Sequence, residues 1–176
     1  MGISWSEWRA EQEQAALDAA FVRRHGLGVR DRLRDAMARG DRIWLWSGGI
    51  RLVGEVVEVD TDLVSLRDGS VRHDVRLDPL PHLAMGVIEG AAGSGRTPPL
   101  SSGGFRGRLL AAETSDADHL VMVSGGEAFE GRILVGLDHV DVVSRAAAAI
   151  TVTLAMVVAL RRADDSISPS RRSAPR

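Results

Sequence analysis

Two stretches of the chain share one alternation of hydrophobic and polar positions. Asp41-Arg42-Ile43-Trp44-Leu45-Trp46-Ser47-Gly48-Gly49 is followed by Gly54-Glu55-Val56-Val57. Asp118-His119-Leu120-Val121-Met122-Val123-Ser124-Gly125-Gly126 is followed by Gly131-Arg132-Ile133-Leu134. Ser47 and Ser124 stand 77 positions apart, and the same spacing pairs both glycine doublets and Gly54 with Gly131. It extends upstream to Leu33 with Leu110, and downstream to Val75, Leu77, Leu80 and Leu83 with Val152, Leu154, Val157 and Leu160. One residue of slippage separates Asp62-Leu63-Val64 from Asp138-His139-Val140. An internal duplication organises the chain, and such a repeat sets the fold reading before any single element does.

Each copy predicts the same elements. Val29, Leu33 and Met37 recur at helical spacing, and Gly40 supplies a stop. Arg42 to Trp46 reads as a strand. Gly48-Gly49 and Gly125-Gly126 supply the positive φ that a tight hairpin turn needs. A second strand carries Gly54, or Gly131 in the second copy, as a bend or bulge. Asp60-Thr61-Asp62 turns the chain, Leu63 to Leu66 forms a third strand, and Asp68-Gly69 closes another hairpin. Val75 to Leu77 and Leu80 to Leu83 complete the unit. Ile150, Val152 and Leu154 alternate with Thr151 and Thr153, the period of a half-buried strand. The apolar run Ala146 to Leu160 is therefore read as strands; it is also shorter than the roughly 20 residues of a membrane span.

A helix followed by five short, bent strands, the second marked by glycine, resembles the Sm-like family within the SH3-like small β-barrels. The run Gly54-Glu55-Val56 through Asp62-Leu63-Val64 carries much of that resemblance, and the pattern is similar to that of actinobacterial proteins. It covers most of residues 29–85 and 105–161. The implied fold is mainly β with helices: two tandem Sm-like small barrels, each preceded by a helix. The expected organisation is an N-terminal helix over 1–26, a first barrel with its leading helix over 27–88, a linker over 89–104, a second barrel over 105–163 and a disordered tail over 164–176. In the N-terminal helix, Ser4-Trp5-Ser6-Glu7 fits a capping box and Trp5, Trp8 and Ala15 to Val22 give an apolar face. The first strand is apolar on both faces, Ile43 and Leu45 on one and Trp44 and Trp46 on the other. The two barrels are expected to pack together with Trp44 and Trp46 at or near the contact.

Composition narrows the function classes. The formal net charge is −2, which argues against whole-surface attraction to nucleic acid or anionic lipid. The chain has no Lys, Asn, Tyr or Cys, so every basic side chain is Arg or His. That bias fits GC-rich coding. Without Cys there is neither a disulfide nor a thiolate metal site. The opening residues lack the pattern of a signal peptide, and a cytoplasmic protein without a membrane partner is expected.

Candidate chemistry is sparse. Gly90-Ala91-Ala92-Gly93-Ser94-Gly95-Arg96-Thr97 has the spacing of a phosphate-binding loop. Arg96 replaces its Lys, and Pro98-Pro99 replaces the helix whose N-terminus would hold phosphate, so no nucleotide is expected. The histidines His25, His73, His82, His119 and His139 form no metal-ligand spacing, and no catalytic set has motif context. Neither an enzyme activity nor a cofactor is expected. RNA binding is what the Sm-like resemblance raises. RNA-binding members use an Asp-x-Asn and an Arg-Gly element; this chain has no Asn, and Arg106-Gly107 lies before the second barrel. The candidate contacts for RNA or a partner are Arg23, Arg24, Arg30, Arg32, Arg34, Trp44 and Trp46. The leading expectation is a non-enzymatic binding or scaffolding module whose ligand is an unknown protein partner or a second copy. The alternative is an RNA-binding protein using the Arg-rich segment 23–42.

Overall fold

The computed structural model describes residues 28–77, 83–90, 103–146 and 148–165. The expected N-terminal helix with Arg23 and Arg24, most of the phosphate-loop-like segment, Leu80, and the tail from residue 166 lie outside the described residues. The chain divides into two compact units, Met1–Arg32 and Leu33–Arg176. Of the first, residues 28–32 are described. They open helix α1 (Val29–Arg39), where the Gly28 N–H donates back to Asp31. At the other end Gly40 takes a φ of 74°, and the Gly40 and Asp41 amides donate to Met37 and Ala36. That pair of bonds satisfies carbonyls the helix leaves open. Leu33, Ala36 and Met37 are buried, whereas Val29, expected on the same face, is exposed.

The second unit continues through β1 (Arg42–Ser47), β2 (Ile50–Val59), β3 (Leu63–Asp68), β4 (Val71–Arg76) and β5 (Leu83–Glu89). After helix α2 (Gly104–Glu113) come β6 (His119–Val123), β7 (Ala128–Val135), β8 (His139–Val143), β9 (Ala149–Thr153) and β10 (Val157–Arg162). The apolar run at 146–160 thus supplies strands, joined by a short 3-10 turn at Leu154–Met156. Among the described residues no helix is long and apolar enough to cross a membrane.

All the strand pairs are antiparallel, and the strands form one open sheet in the order β5-β1-β2-β3-β4-β10-β6-β7-β8-β9. This corrects the expectation of two separately closed barrels. Instead of returning to its own fifth strand, β4 pairs with β10 through Val75–Ala159 and Asp74–Leu160. Beneath this sheet lie two cores. One gathers Leu33, Ile43, Leu45, Val56, Leu66 and Val75, and the other Phe105, Leu109, Val121, Ile133, Val140 and Val142.

The two halves match in strand order, 5-1-2-3-4 and 10-6-7-8-9. Their residue registers drift. Gly48-Gly49 is a two-residue turn between Ser47 and Ile50, but Val123 donates to Glu127 across a longer loop. Leu33 and Ala36 correspond to the buried Leu109 and Ala112, so Leu110, which is exposed, is not the partner of Leu33. Leu83 sits opposite Ser47 and Leu160 opposite Val121, so these two leucines are not equivalent.

The close approach at Gly54 and Gly131 is the same in both halves. A Cβ on Gly54 would lie 2.8 Å from the Arg67 carbonyl oxygen, and one on Gly131 would collide with that of Val143. Arg67 and Val143 occupy equivalent places on β3 and β8. Neither glycine has positive φ; both are glycine because the next strand's backbone occupies the space.

Candidate functional site

The joint between the halves is the most elaborated polar region of the second unit. Leu52 and Val56 of β2 lie in the first core, but the register shifts after Val56: Val56 pairs with Leu66 and Glu58 with Ser65. Glu58 is therefore on the opposite face of the sheet, buried there although charged. It is held by two arginines from different halves. Arg72 Nη2 on β4 donates to Glu58 Oε2 at 2.5 Å, and Arg108 Nη2 on α2 donates to the same oxygen. Arg72 also donates to Asp74 Oδ1 at 3.0 Å and to Ser65 Oγ at 2.9 Å, while Ser65 donates to Asp74. Burial disfavours the Arg72 charge, but Asp74 and Glu58 outweigh it and hold its pKa above the usual arginine value. A carboxylate this buried needs such partners, because an unpaired buried charge is costly.

Further contacts tie the halves. Asp60 and Asp62, in the turn after β2, accept from the Gly104 and Phe105 amides at 3.3 and 3.0 Å. They place negative charge at the first turn of α2, where open N–H groups favour it. Arg76 donates to the Leu154 carbonyl, and the Gly125 amide donates to the Gly48 carbonyl at 2.8 Å. The two Ser-Gly-Gly turns therefore touch each other.

A cavity of about 630 Å³ opens beside the joint, between β4, β10 and the end of α2. Four arginines and four aspartates line it, with His119. Burial, and to a lesser degree Arg162, push His119 below its usual value, so the imidazole is neutral near pH 7. The balanced charge gives the cavity no preference for an anion. Among the described residues no cluster of His, Asp and Glu is placed to hold a metal ion.

Trp44 and Trp46 lie elsewhere. Their strand neighbours are Val53 and Gly86, and Arg51 and Ala84, all within the first half. The Arg51 guanidinium stacks over the Trp44 ring at 5.6 Å, and a Cβ at Gly86 would meet the Trp44 indole at 2.6 Å. The halves are joined by the β4–β10 pairing, the Glu58–Arg108 contact, the Asp60 and Asp62 contacts to α2 and the Gly48–Gly125 turn contact. Of the Arg-rich segment, Arg30, Arg32 and Arg34 are exposed on α1, while Arg39 pairs with Asp41 and Arg42 with Asp68.

Among the described residues the sheet ends in two open edges, β5 and β9. On β9 only Val152 is buried, and the strand Ala149–Thr153 carries no charge. On β5 the sole charged residue is Glu89. Val87, Ile88, Leu134, Leu137 and Ile150 are exposed at or beside these two ends. Sequence reasoning missed both the Glu58 cluster and these edges. The alternation of β2 gave no signal for the cluster, because a register shift after Val56 puts Glu58 on the other face. The edges are a property of pairing, which periodicity does not encode.

The chain belongs to the class of mainly β proteins built on one open antiparallel sheet. No family model and no curated protein matches it.

Proposed function

We propose that the chain is a non-enzymatic binding or scaffolding module made of two fused, Sm-like small β units, acting through the open edges of its sheet. The observation that carries this reading is that both terminal strands are left nearly uncharged. Sheet edges display unpaired N–H and C=O groups, and proteins that must keep them free guard them with charge, proline or bulges. β9 has neither charge nor proline, and β5 is regular from Leu83 to Val87 with an irregularity only at Ile88; such edges are suited to receiving a further strand, a recurring mode of protein recognition. The Sm-like reading is supported by the helix and five strands in each half and by the glycine pressed against the third strand at matching positions.

The test compares wild-type chain with a Val87→Arg/Ile150→Arg double variant as bait in extract from the native cell. Material retained by the wild type and lost from the double variant supports edge recognition. Equal retention by both places binding elsewhere and overturns it.

RNA binding is the second reading, favoured by Arg51 stacked on Trp44 with the exposed Trp46 beside it. Aromatic and guanidinium planes are stacking platforms for bases. It is the weaker reading because Arg39 and Arg42 are held in ion pairs. Filter binding with mixed RNA over a salt series decides it: retention that falls steeply with salt supports phosphate contacts.

A further inference from the structure

We infer that the cavity beside the joint is a binding site for a free α-amino acid with an apolar side chain. The inference goes beyond the edge reading and does not depend on it. Both halves build the walls: Arg72 and Asp74 stand on β4, and α2, β6, β10 and the segments that follow α2 and β10 supply the rest. A cleft of about 630 Å³ where two packed halves meet is of the size that takes a small ligand. The strand registers fix what it offers. Leu160 on β10 faces Asp74 on β4 and Val121 on β6. Two residues further along, on the same face, stand Arg72, Arg162 and His119, one on each strand.

The polar groups of the lining have two opposite needs. Arg72 and Arg108 bond Glu58 through Nη2, and Nη1 of each makes no hydrogen bond among the described residues. Arg162 makes no ion pair among them. Guanidinium groups anchored in this way suit a planar carboxylate, which accepts two parallel N–H bonds. His119 needs the reverse. Its Nδ1 donates to the Ala117 carbonyl at 3.0 Å, which leaves Nε2 of the neutral ring as an acceptor with no donor. Asp165 lines the same cavity, acts electrostatically on His119 and makes no ion pair among the described residues. A primary ammonium answers both, donating to Nε2 and pairing with Asp165. A quaternary ammonium has no N–H to give, and a ligand of one charge leaves half of the lining unanswered. The balanced charge of the cavity thus selects a ligand that carries both signs. Ala111, Ala112, Ala117 and Leu160 supply apolar lining between these groups, against which an apolar side chain is buried.

Calorimetric titration and thermal melts of the full chain with L-leucine and with L-phenylalanine test this. Saturable heat and a rise in melting temperature are expected with at least one of the two, because a ligand bound only by the folded chain stabilises it. The N-acetyl form lacks the ammonium, the methyl ester lacks the carboxylate, and the trimethylated form lacks the N–H. Each should bind about tenfold more weakly or less well still, the worth of one hydrogen bond to a charged group. Arg162 is exposed and Asp165 half-buried, so Arg162→Gln and Asp165→Asn should keep the melting temperature of the free chain and lose about tenfold in affinity. Ala111 is exposed on α2, and Ala111→Trp fills the cavity and should abolish the heat. No saturable binding of either amino acid up to its solubility overturns the inference. Equal binding of the acetylated, esterified or trimethylated forms overturns it too, as does an unaltered affinity in Ala111→Trp. None of these results bears on the edge reading, since neither β5 nor β9 lines the cavity.

Discussion

Gly54 and Gly131 show how one atom sets a position. In each case a β-carbon would run into the backbone carbonyl of the adjoining strand, at Arg67 or Val143. Backbone cannot swing aside as a flexible side chain can, so Gly54→Val and Gly131→Val should each cost about 1–3 kcal/mol, as overpacking does. Chemical denaturation of each variant measures this; a cost near zero at both sites would remove the physical basis of their equivalence. Glu58 is the charged counterpart. Replacing it with Gln leaves Arg72 and Arg108 without their shared carboxylate, although Asp74 stays beside both. Breaking a buried pair costs about 3–5 kcal/mol, and the partly exposed arginines place Glu58→Gln near the lower bound. The glycine pair was legible in the sequence because it sits at matched spacing after matched turns. Glu58 was not, because its facing is set by the register shift between Val56 and Glu58, which the alternation of residues does not reveal.

Among elements, β4 and β6 each bury a histidine, His73 and His119. Burial lowers both pKa values below the usual histidine value, with Arg161 and Arg162 on β10 adding to it. The unfolded chain therefore takes up protons that the folded chain refuses as pH falls through the ordinary histidine range. Stability should be flat above about pH 7 and decline toward pH 5, before carboxylates titrate. His139 is exposed and pairs with Asp138, which raises its pKa and acts weakly in the opposite sense. Melting temperatures across pH 5–8 check the sign. His73→Gln and His119→Gln together should flatten the profile, whatever they do to its height. At this scale the alternation in β1, β2 and β9 was readable from sequence, and so were the Gly48-Gly49 and Gly125-Gly126 turns. The fifth strand was not: Leu80 to Leu83 was expected, and the strand is Leu83–Glu89. Its Ala84, Gly86 and Ile88 give no clean alternation, because Gly86 exists to admit the Trp44 indole.

For the molecule as a whole, the likeness of the two halves in strand order was legible in the sequence, but their manner of joining was not. A repeat predicts two similar units; whether each closes on itself depends on which edge finds which, and β4 with β10 is a pairing between residues far apart in the chain. The consequence is that the two cores are interleaved. Leu63, from the first half, is buried in the second core. Met122, Val158 and Ala159, from the second half, are buried in the first. Asp60 and Asp62 hold the start of α2, and Glu58 holds Arg108. Cutting the chain between the halves would uncover these apolar side chains, leave Glu58 without Arg108, and leave the β4 and β10 edges without each other. Small domains have little stability in reserve against such losses. Residues 27–90 and 101–165, expressed separately, are therefore expected to aggregate or to melt well below the full chain. Mixing the two fragments should recover part of the lost stability, because the β4–β10 pairing and the shared cores can re-form without a covalent link. Circular dichroism melts of the fragments, their mixture and the intact chain measure this. Fragments that each remain single and melt as high as the whole would show that the halves are independent, and that the continuous sheet contributes nothing to holding the molecule together.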